Sequence, residues 1–327
     1  MNRFEWVNPT SVEQAVAALE QGAVIKAGGI DIMDLLKEHL IEPTRLVNLR
    51  TVRGLDQLSD GEGGLRIGSL VTLARLADDP VVRRRYTALA DAAGHAATPQ
   101  IRNSATLGGN LLQRPRCWYF RSEEFNCKKK GGDKCFAIAA NGENEYHAIF
   151  GNRTCAAVHP SATATALVAL GAVARLHGER GQREAPLESF FVAPEADVRR
   201  ENALGAGEII TEVTVPPPAA GASSAYIKQG EKESYDWPLA EVAVVIEQQG
   251  GVCRRASIVL GAAAPVPYRA RAAEQALAGK RIDEGAARAA AAAAVQGATP
   301  LAQNAHKVQL FQAVVRRTIL AARGSAS

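Results

Sequence analysis

Aromatic residues are scarce in this 327-residue chain. Phe, Trp and Tyr make up 5% of it, too little to supply the stacking platforms that hold single-stranded nucleic acids. Charge of one sign is also missing. The 38 basic and 34 acidic residues leave a net +4, which gives no field for steering a polyanion, so no nucleic-acid partner is expected. No run of 18 apolar residues occurs, and no membrane insertion is expected. Met1 to Thr10 carries Arg3 and Glu5 and lacks the apolar stretch of a secretory signal. A cytoplasmic location is expected, or a periplasmic one if the chain is exported on a partner's signal. Gly-x-Ser-x-Gly, His-Glu-x-x-His and a Walker loop are absent as well. No acid–base or nucleophilic constellation stands out, so no catalytic residue is assigned.

What is present is enough apolar residue, 47%, to bury a sizeable core, in a chain long enough for two or three domains. Residues 1–55 read as a small α/β lobe: a helix over 12–20 behind Ser11, a strand over 23–27, a helix over 31–39 and a strand over 46–49. A second unit, 56–218, starts near the strand at 65–68. It carries helices over 73–77 and 86–96, a strand-and-turn stretch over 100–110, an apolar helix or strand pair over 162–174 and a strand over 209–215. Pro216-Pro217-Pro218 marks a boundary. A third unit, 222–327, reads as three strands (224–229, 240–248, 253–260) followed by helices over 269–278, 285–295 and 307–323. No internal repeat is found.

Two glycine pairs suggest a ligand. Ala27-Gly28-Gly29-Ile30-Asp31 joins a strand to a helix, where paired glycines admit close backbone approach and free N–H groups favour an anion. It lacks the Rossmann glycine spacing. Thr106-Leu107-Gly108-Gly109-Asn110 is a second such stretch, flanked by a hydroxyl and an amide. Either alone reads as a tight turn; together they suggest one shared phosphate-bearing ligand.

Four of the five cysteines, Cys117, Cys127, Cys135 and Cys155, fall within 39 residues, separated by 9, 7 and 19 residues. The window is polar, rich in Lys and Gly, and looks like an insertion over 115–156. An odd cysteine count in a chain this long argues against a disulfide scaffold. The spacing is neither that of a zinc ribbon nor of a ferredoxin, so on spacing alone a metal site, zinc or iron–sulfur equally, stands beside reduced thiols in an ordinary loop. Cys253 lies in a strand and reads as core.

These residues resemble the flavin subunit of the xanthine dehydrogenase, aldehyde oxidase and carbon monoxide dehydrogenase family of molybdenum hydroxylases. Lys26 to Asp31 resembles its first FAD loop. Gln100 to Asn110, with Arg-Asn-x-Ala-Thr-Leu-Gly-Gly-Asn, resembles its second. Leu65 to Thr72, His159-Pro160-Ser161, Tyr226 to Gln229, Ser234 to Ala240 and Gly261 to Ala270 match further family segments.

The resemblance implies an α+β fold: a two-lobed FAD-binding domain, then a C-terminal domain with a three-stranded antiparallel sheet and helices. It implies that Ile25, Lys26, Ala27, Gly28, Gly29, Ile30, Asp31 and Ile32 wrap the FAD pyrophosphate. Thr106 and Asn110 would meet the phosphates or ribityl chain, with Gly109 and Ser161 in the same site. Ile210 would lie near the isoalloxazine, and Lys228 near its pyrimidine edge.

Two positions depart from the family pattern: Ile30 stands where a small polar residue is usual, and Ala162 where an Asp is usual. The cysteine insertion resembles that of a subgroup, bacterial aldehyde oxidoreductases and 4-hydroxybenzoyl-CoA reductase. There, four such cysteines hold a [4Fe–4S] cluster, which makes Cys117, Cys127, Cys135 and Cys155 its implied ligands. Four thiolates complete a cluster, so His147 and His159 read as structural. The implied partners are a large subunit with the molybdenum cofactor and a small subunit with two [2Fe–2S] clusters. Electrons would pass through FAD to an external acceptor: NAD, a ferredoxin, a quinone or oxygen. A reductase with inward electron flow, or a zinc-stabilised assembly subunit without FAD, are the alternatives.

Overall fold

The computed structural model describes residues 2–323. Its first lobe is a three-stranded parallel sheet, β1 (Glu5–Val7), β2 (Ala23–Lys26) and β3 (Arg45–Asn48), in the order β1-β3-β2. Successive side chains on a strand point to opposite faces, and β3 uses both. Val47 packs with Ala15 and Val16 of helix Val12–Ala17, while Leu46 packs with Ile32 and Leu36 of helix Ile30–Lys37. The Ser11 hydroxyl caps the first of these helices, accepting from Gln14 N–H at 3.2 Å.

The second lobe is a five-stranded antiparallel sheet. Its strands are β4 (Leu58–Gly61), β5 (Gly64–Gly68), β6 (Val173–Gly178), β7 (Gly181–Pro186) and β8 (Ile209–Val215), in the order β4-β5-β8-β6-β7. Helices Leu73–Asp78, Thr87–Gly94 and Ala162–Ala169 share its core, around Ile67, Leu76, Leu89, Leu167 and Val213. All eight residues of Ala162–Ala169 are buried, as a helix enclosed on every side requires.

The C-terminal domain carries β9 (Ala222–Gln229), β10 (Ala240–Gln249), β11 (Val252–Gly261) and β12 (Tyr268–Arg269), all antiparallel, in the order β12-β11-β10-β9. The three long strands stand where the sequence places them. β12 is an additional edge strand of two residues, too short to leave a periodic signal. On β10, Val242, Val244 and Ile246 face the domain's own helices, Glu284–Ala294 and His306–Ala321. Ala243 and Val245 face the FAD-lobe core instead. The sheet is thus covered on both sides, and the alternate face of β10 forms the joint between the two domains.

Two local expectations change. Residues 100–110 are not strand and turn but two short helices, Pro99–Ser104 and Leu107–Leu112. Thr98 and Thr106 are their N-caps, and Pro99 sits at the first helical position, where its missing N–H costs nothing. Gly108 and Gly109 therefore open a helix. The cysteine insertion is not structureless either. It contains helix Trp118–Arg121 and the 3₁₀ turns Lys128–Lys130 and Phe136–Ile138.

Candidate cofactor cleft and cysteine pocket

The two glycine pairs meet. A Cβ on Gly28 would lie 2.0 Å from the backbone oxygen of Ser104, so only glycine lets the first turn sit against the start of the second. Gly29 has φ 89°, a left-handed conformation that favours glycine, and it caps helix Ile30–Lys37. Between the turns and the C-terminal domain lies a cleft of about 1020 Å³. Its size is at the upper end of small-molecule and cofactor sites.

The two turns offer different chemistry. Among the described residues, no protein acceptor meets the N–H groups of Ile30, Asp31 and Ile32, so the positive end of that helix is open to an anion. At the second turn the donors are already used. Leu107 N–H bonds Val71 O (2.9 Å), Gly108 N–H bonds Ser69 O (2.9 Å), and Gly109 N–H bonds the Thr106 hydroxyl (3.2 Å). Side chains remain free there.

Asn110 Oδ1 accepts from both the Ser161 and the Thr163 hydroxyls at 2.6 Å. That length suits O–H···O better than N–H···O, and it fixes the orientation of the carboxamide. The Ser161 oxygen also accepts from Ala164 N–H at 3.0 Å, which directs its proton to Asn110. The Asn110 amide NH₂ is left to face the cleft. The Ser69 hydroxyl, buried in the cleft wall, has no protein partner among the described residues.

Of the residues singled out from sequence, Ile25, Ala27 to Ile32, Thr106, Gly109, Asn110, Ile210 and Lys228 line this cleft. Lys26 and Ser161 do not. Lys26 lies with its Nζ 5.6 Å from the centre of the Trp6 ring, and Ser161 is fully buried behind Asn110. Ile30 is 39% exposed at the mouth, and Ala162 lines the wall. The Asp31 carboxylate is already engaged by Arg114, Arg116 and Arg121.

Lys228 stands directly across from Glu241 in the β9–β10 register. Its Nζ donates to His95 O at 3.2 Å, and burial lowers its pKa.

Glu241 is a cleft residue that the sequence reading missed. Its carboxyl is buried and accepts from Tyr226 and from Thr165 (3.0 Å); burial raises its pKa. A Cβ on Gly261 would stand 2.0 Å from Glu241 Oε1, so glycine makes room for it. The available signal was an acid on the strand face shared with apolar Ala243 and Val245. Over the mouth, Trp237 is 51% exposed, with the Arg116 guanidinium 5.1 Å from its ring centre.

Cys117, Cys127, Cys135 and Cys155 line one small pocket with Tyr119, Phe120, Phe136 and Ala157. Backbone amides work against the burial of these thiols: those of Tyr119 and Phe120 lower the pKa of Cys117, those of Ala137, Ile138 and Ala156 that of Cys135, and that of Ala157 that of Cys155. Such bonds favour thiolates. The Cys155 thiol, itself pushed up, donates a hydrogen bond that holds Cys135 below the ordinary thiol value, while burial pushes Cys117 up to about 12. Among the described residues, no three His, Cys, Asp or Glu side chains stand close enough to hold a single metal ion. The four cysteines gather an all-sulfur donor set against a mostly apolar wall. His147 Nε2 lies 3.2 Å from Cys117 Sγ, and its ring, lowered to about 4 by burial, is neutral. His159 is buried against Phe191 and does not reach the pocket. Cys253 is fully buried in β11. No helix among the described residues is long and apolar enough to cross a membrane.

Comparison with known proteins agrees with this geometry. Residues 2–218 match the family described as the FAD binding domain in molybdopterin dehydrogenase, and residues 225–322 the CO dehydrogenase flavoprotein C-terminal domain. The chain is 36% identical to the FAD-binding subunit of an aldehyde oxidoreductase from Escherichia coli (strain K12), over 99% of this chain and 98% of that one. It is 28% identical to the carbon monoxide dehydrogenase medium chain of Hydrogenophaga pseudoflava, over 90% and 86%. Among solved structures, carbon monoxide dehydrogenase from Hydrogenophaga pseudoflava superposes with a TM-score of 0.77 at 28% identity, covering 98% of this chain and 97% of that one. Quinoline 2-oxidoreductase from Pseudomonas putida 86 gives 0.75 at 27%, with the same coverage. The chain therefore belongs to the FAD-binding medium subunits of the xanthine dehydrogenase, CO dehydrogenase and aldehyde oxidoreductase family.

Proposed function

We propose that this chain is the electron-transfer subunit of a heterotrimeric molybdenum hydroxylase of the aldehyde oxidoreductase type. A large subunit with the molybdenum cofactor and a small subunit with two [2Fe–2S] clusters would be its partners. The observation that carries the reading is the single cleft into which both glycine turns open, walled by Ile210 and Lys228. FAD bound there would accept electrons from the partner's clusters and pass them to an external acceptor.

The residues of this chain bind and orient it. The N–H groups of Ile30, Asp31 and Ile32 face the pyrophosphate. The Asn110 amide and the Thr106 and Ser69 hydroxyls donate to phosphate or ribityl oxygens. Ile210 packs on the ring, and Lys228 supplies positive charge at its polar edge. Ser161 acts through Asn110 rather than on the ligand. Where the family's usual Asp is replaced by Ala162, the Thr163 hydroxyl next to it adds a second hold on Asn110. Cys117, Cys127, Cys135 and Cys155 hold a [4Fe–4S] cluster in the insertion. The gathering of four sulfurs in one pocket supports this part.

The test is the iron, acid-labile sulfide and flavin content of anaerobically purified protein co-expressed with its partner subunits. About eight iron, eight sulfide and one FAD per heterotrimer are expected, about four iron and four sulfide from the partner's two [2Fe–2S] clusters and about four of each from this chain; about four iron and four sulfide in total would leave this chain without a cluster. Zinc in place of iron, with no flavin, overturns the proposal.

A further inference from the structure

The cleft and the cysteine pocket share one structural part, helix Ile30–Lys37. Its first turn opens onto the cleft through the N–H groups described above. One turn later, Leu35 is buried against Phe120 and Cys127, in a cluster that includes Cys117 and Phe136. Its opening residue pair is held from the insertion side. Asp31 Oδ2 accepts from Arg114 N–H (2.9 Å). Its Oδ1 meets Arg121 Nη2 (2.7 Å) and Arg116 Nη1 (2.8 Å).

These side chains are largely buried, with 17% of Asp31, 18% of Arg116 and 13% of Arg121 exposed. Such pairs are screened far less than surface ones. Arg121 also ties off the segment that leads to Cys117, donating to Pro115 O and Arg114 O at 2.9 Å each. Arg116 adjoins Cys117 and lies over Trp237 at the cleft mouth. The insertion is anchored on its far side too: Glu201 takes both Arg114 and Lys129, each at 2.9 Å.

We propose that the Asp31–Arg116–Arg121 clamp couples the two sites, so that a filled cysteine pocket holds the helix Ile30–Lys37 terminus in the position that grips the flavin nucleotide. The identities of the two occupants rest on the reading above; the coupling itself rests on the ion pairs and on the Leu35 contact. A rigid insertion fixes Asp31, and Asp31 fixes its own N–H and those of its neighbours Ile30 and Ile32. With the pocket empty, residues 114–121 keep only their ion pairs and the packing of Tyr119 and Phe120, and the helix terminus is held less firmly. Coupling between binding equilibria is reciprocal. FAD must therefore tighten the binding of the cysteine pocket's occupant by the same factor.

The experiment uses the full chain co-expressed with its partner subunits, stripped of flavin and then titrated with FAD by fluorescence quenching. It is run with iron intact and after anaerobic removal of iron by a chelator. In the wild type, removal should raise the FAD Kd by about tenfold, the usual scale of such couplings. Arg121 does not line the cleft, so Arg121→Gln touches FAD only through the clamp and the segment it ties off, and its iron content is measured beside its Kd. With iron intact its Kd should already be raised about tenfold, and iron removal should add less than about twofold more. Arg121→Lys, which keeps one charge on Asp31, should fall between the two and controls for a folding defect, as does the thermal transition of each variant. A wild-type Kd in folded, iron-loaded Arg121→Gln overturns the coupling and leaves the functional reading standing. Protein that arrives without flavin or without iron overturns that reading first, and the coupling with it.

Discussion

The orientation of Asn110 gives the sharpest single test of the cleft. Two hydroxyls donate to its Oδ1 at 2.6 Å, one from Ser161 and one from Thr163, both fully buried. Thr163→Val keeps shape and volume and removes one of the two bonds. A net loss of about 1 kcal/mol is expected, which is about a fivefold rise in FAD Kd. Ser161→Ala removes the other. It also uncaps helix Ala162–Ala169, because the same oxygen accepts from Ala164 N–H, and so costs about 1 kcal/mol of stability besides. In the double variant nothing holds the carboxamide. It can turn its oxygen toward the phosphates, and about 2 kcal/mol of binding, or a roughly thirtyfold rise in Kd, should be lost. Fluorescence titration of flavin-free protein measures both values, and denaturant unfolding separates the capping effect. A folded double variant with the wild-type Kd would refute the claim that these hydroxyls orient the amide.

Other consequences follow from groups further from the cleft. Gly28→Ala places a methyl 2.0 Å from Ser104 O, backbone against backbone. It should cost about 1–3 kcal/mol of stability and weaken FAD binding, whereas Gly109→Ala meets only the Thr106 side chain, at 3.1 Å, and should unfold close to the wild type in the same denaturant series. Buried Lys307 donates to Tyr146 O (3.3 Å), His147 O (3.0 Å) and Ala262 O (2.8 Å), pinning the insertion to the C-terminal domain. Lys307→Met orphans the Tyr146 and Ala262 carbonyls, while His147 O keeps the Asn304 amide, and should lower stability by about 2–4 kcal/mol; an unchanged midpoint in urea titration would contradict this. Burial holds His159 at about 3 against its ordinary 6.5. Its contribution is therefore fully present above pH 6.5 and is lost as pH falls from there toward 3, with about 2 kcal/mol gone by pH 5. Comparing unfolding at pH 7.5 and pH 5, His159→Gln should show a shallower decline than the wild type.

The sequence by itself determined the elements whose signal is local. Ser11 specifies the start of the first helix and Gly28-Gly29 the turn into the second, which lies between two strands, because caps and φ > 0 residues act over a few positions. The three long C-terminal strands and the helices after them were legible for the same reason, as was the grouping of four cysteines. Residues 100–110 were not: short threonine-capped helices look like turns when Gly-Gly falls in the first turn. Tertiary structure alone decided that β10 is buried on both faces, which turns Glu241 from an ordinary strand acid into a buried cleft residue. It decided that Ser161 backs Asn110 instead of lining the site, and that Asp31 is held by Arg116 and Arg121, some 85–90 residues away. Those facts arise from contacts between lobes that fold separately in sequence, and no local period or cap carries them.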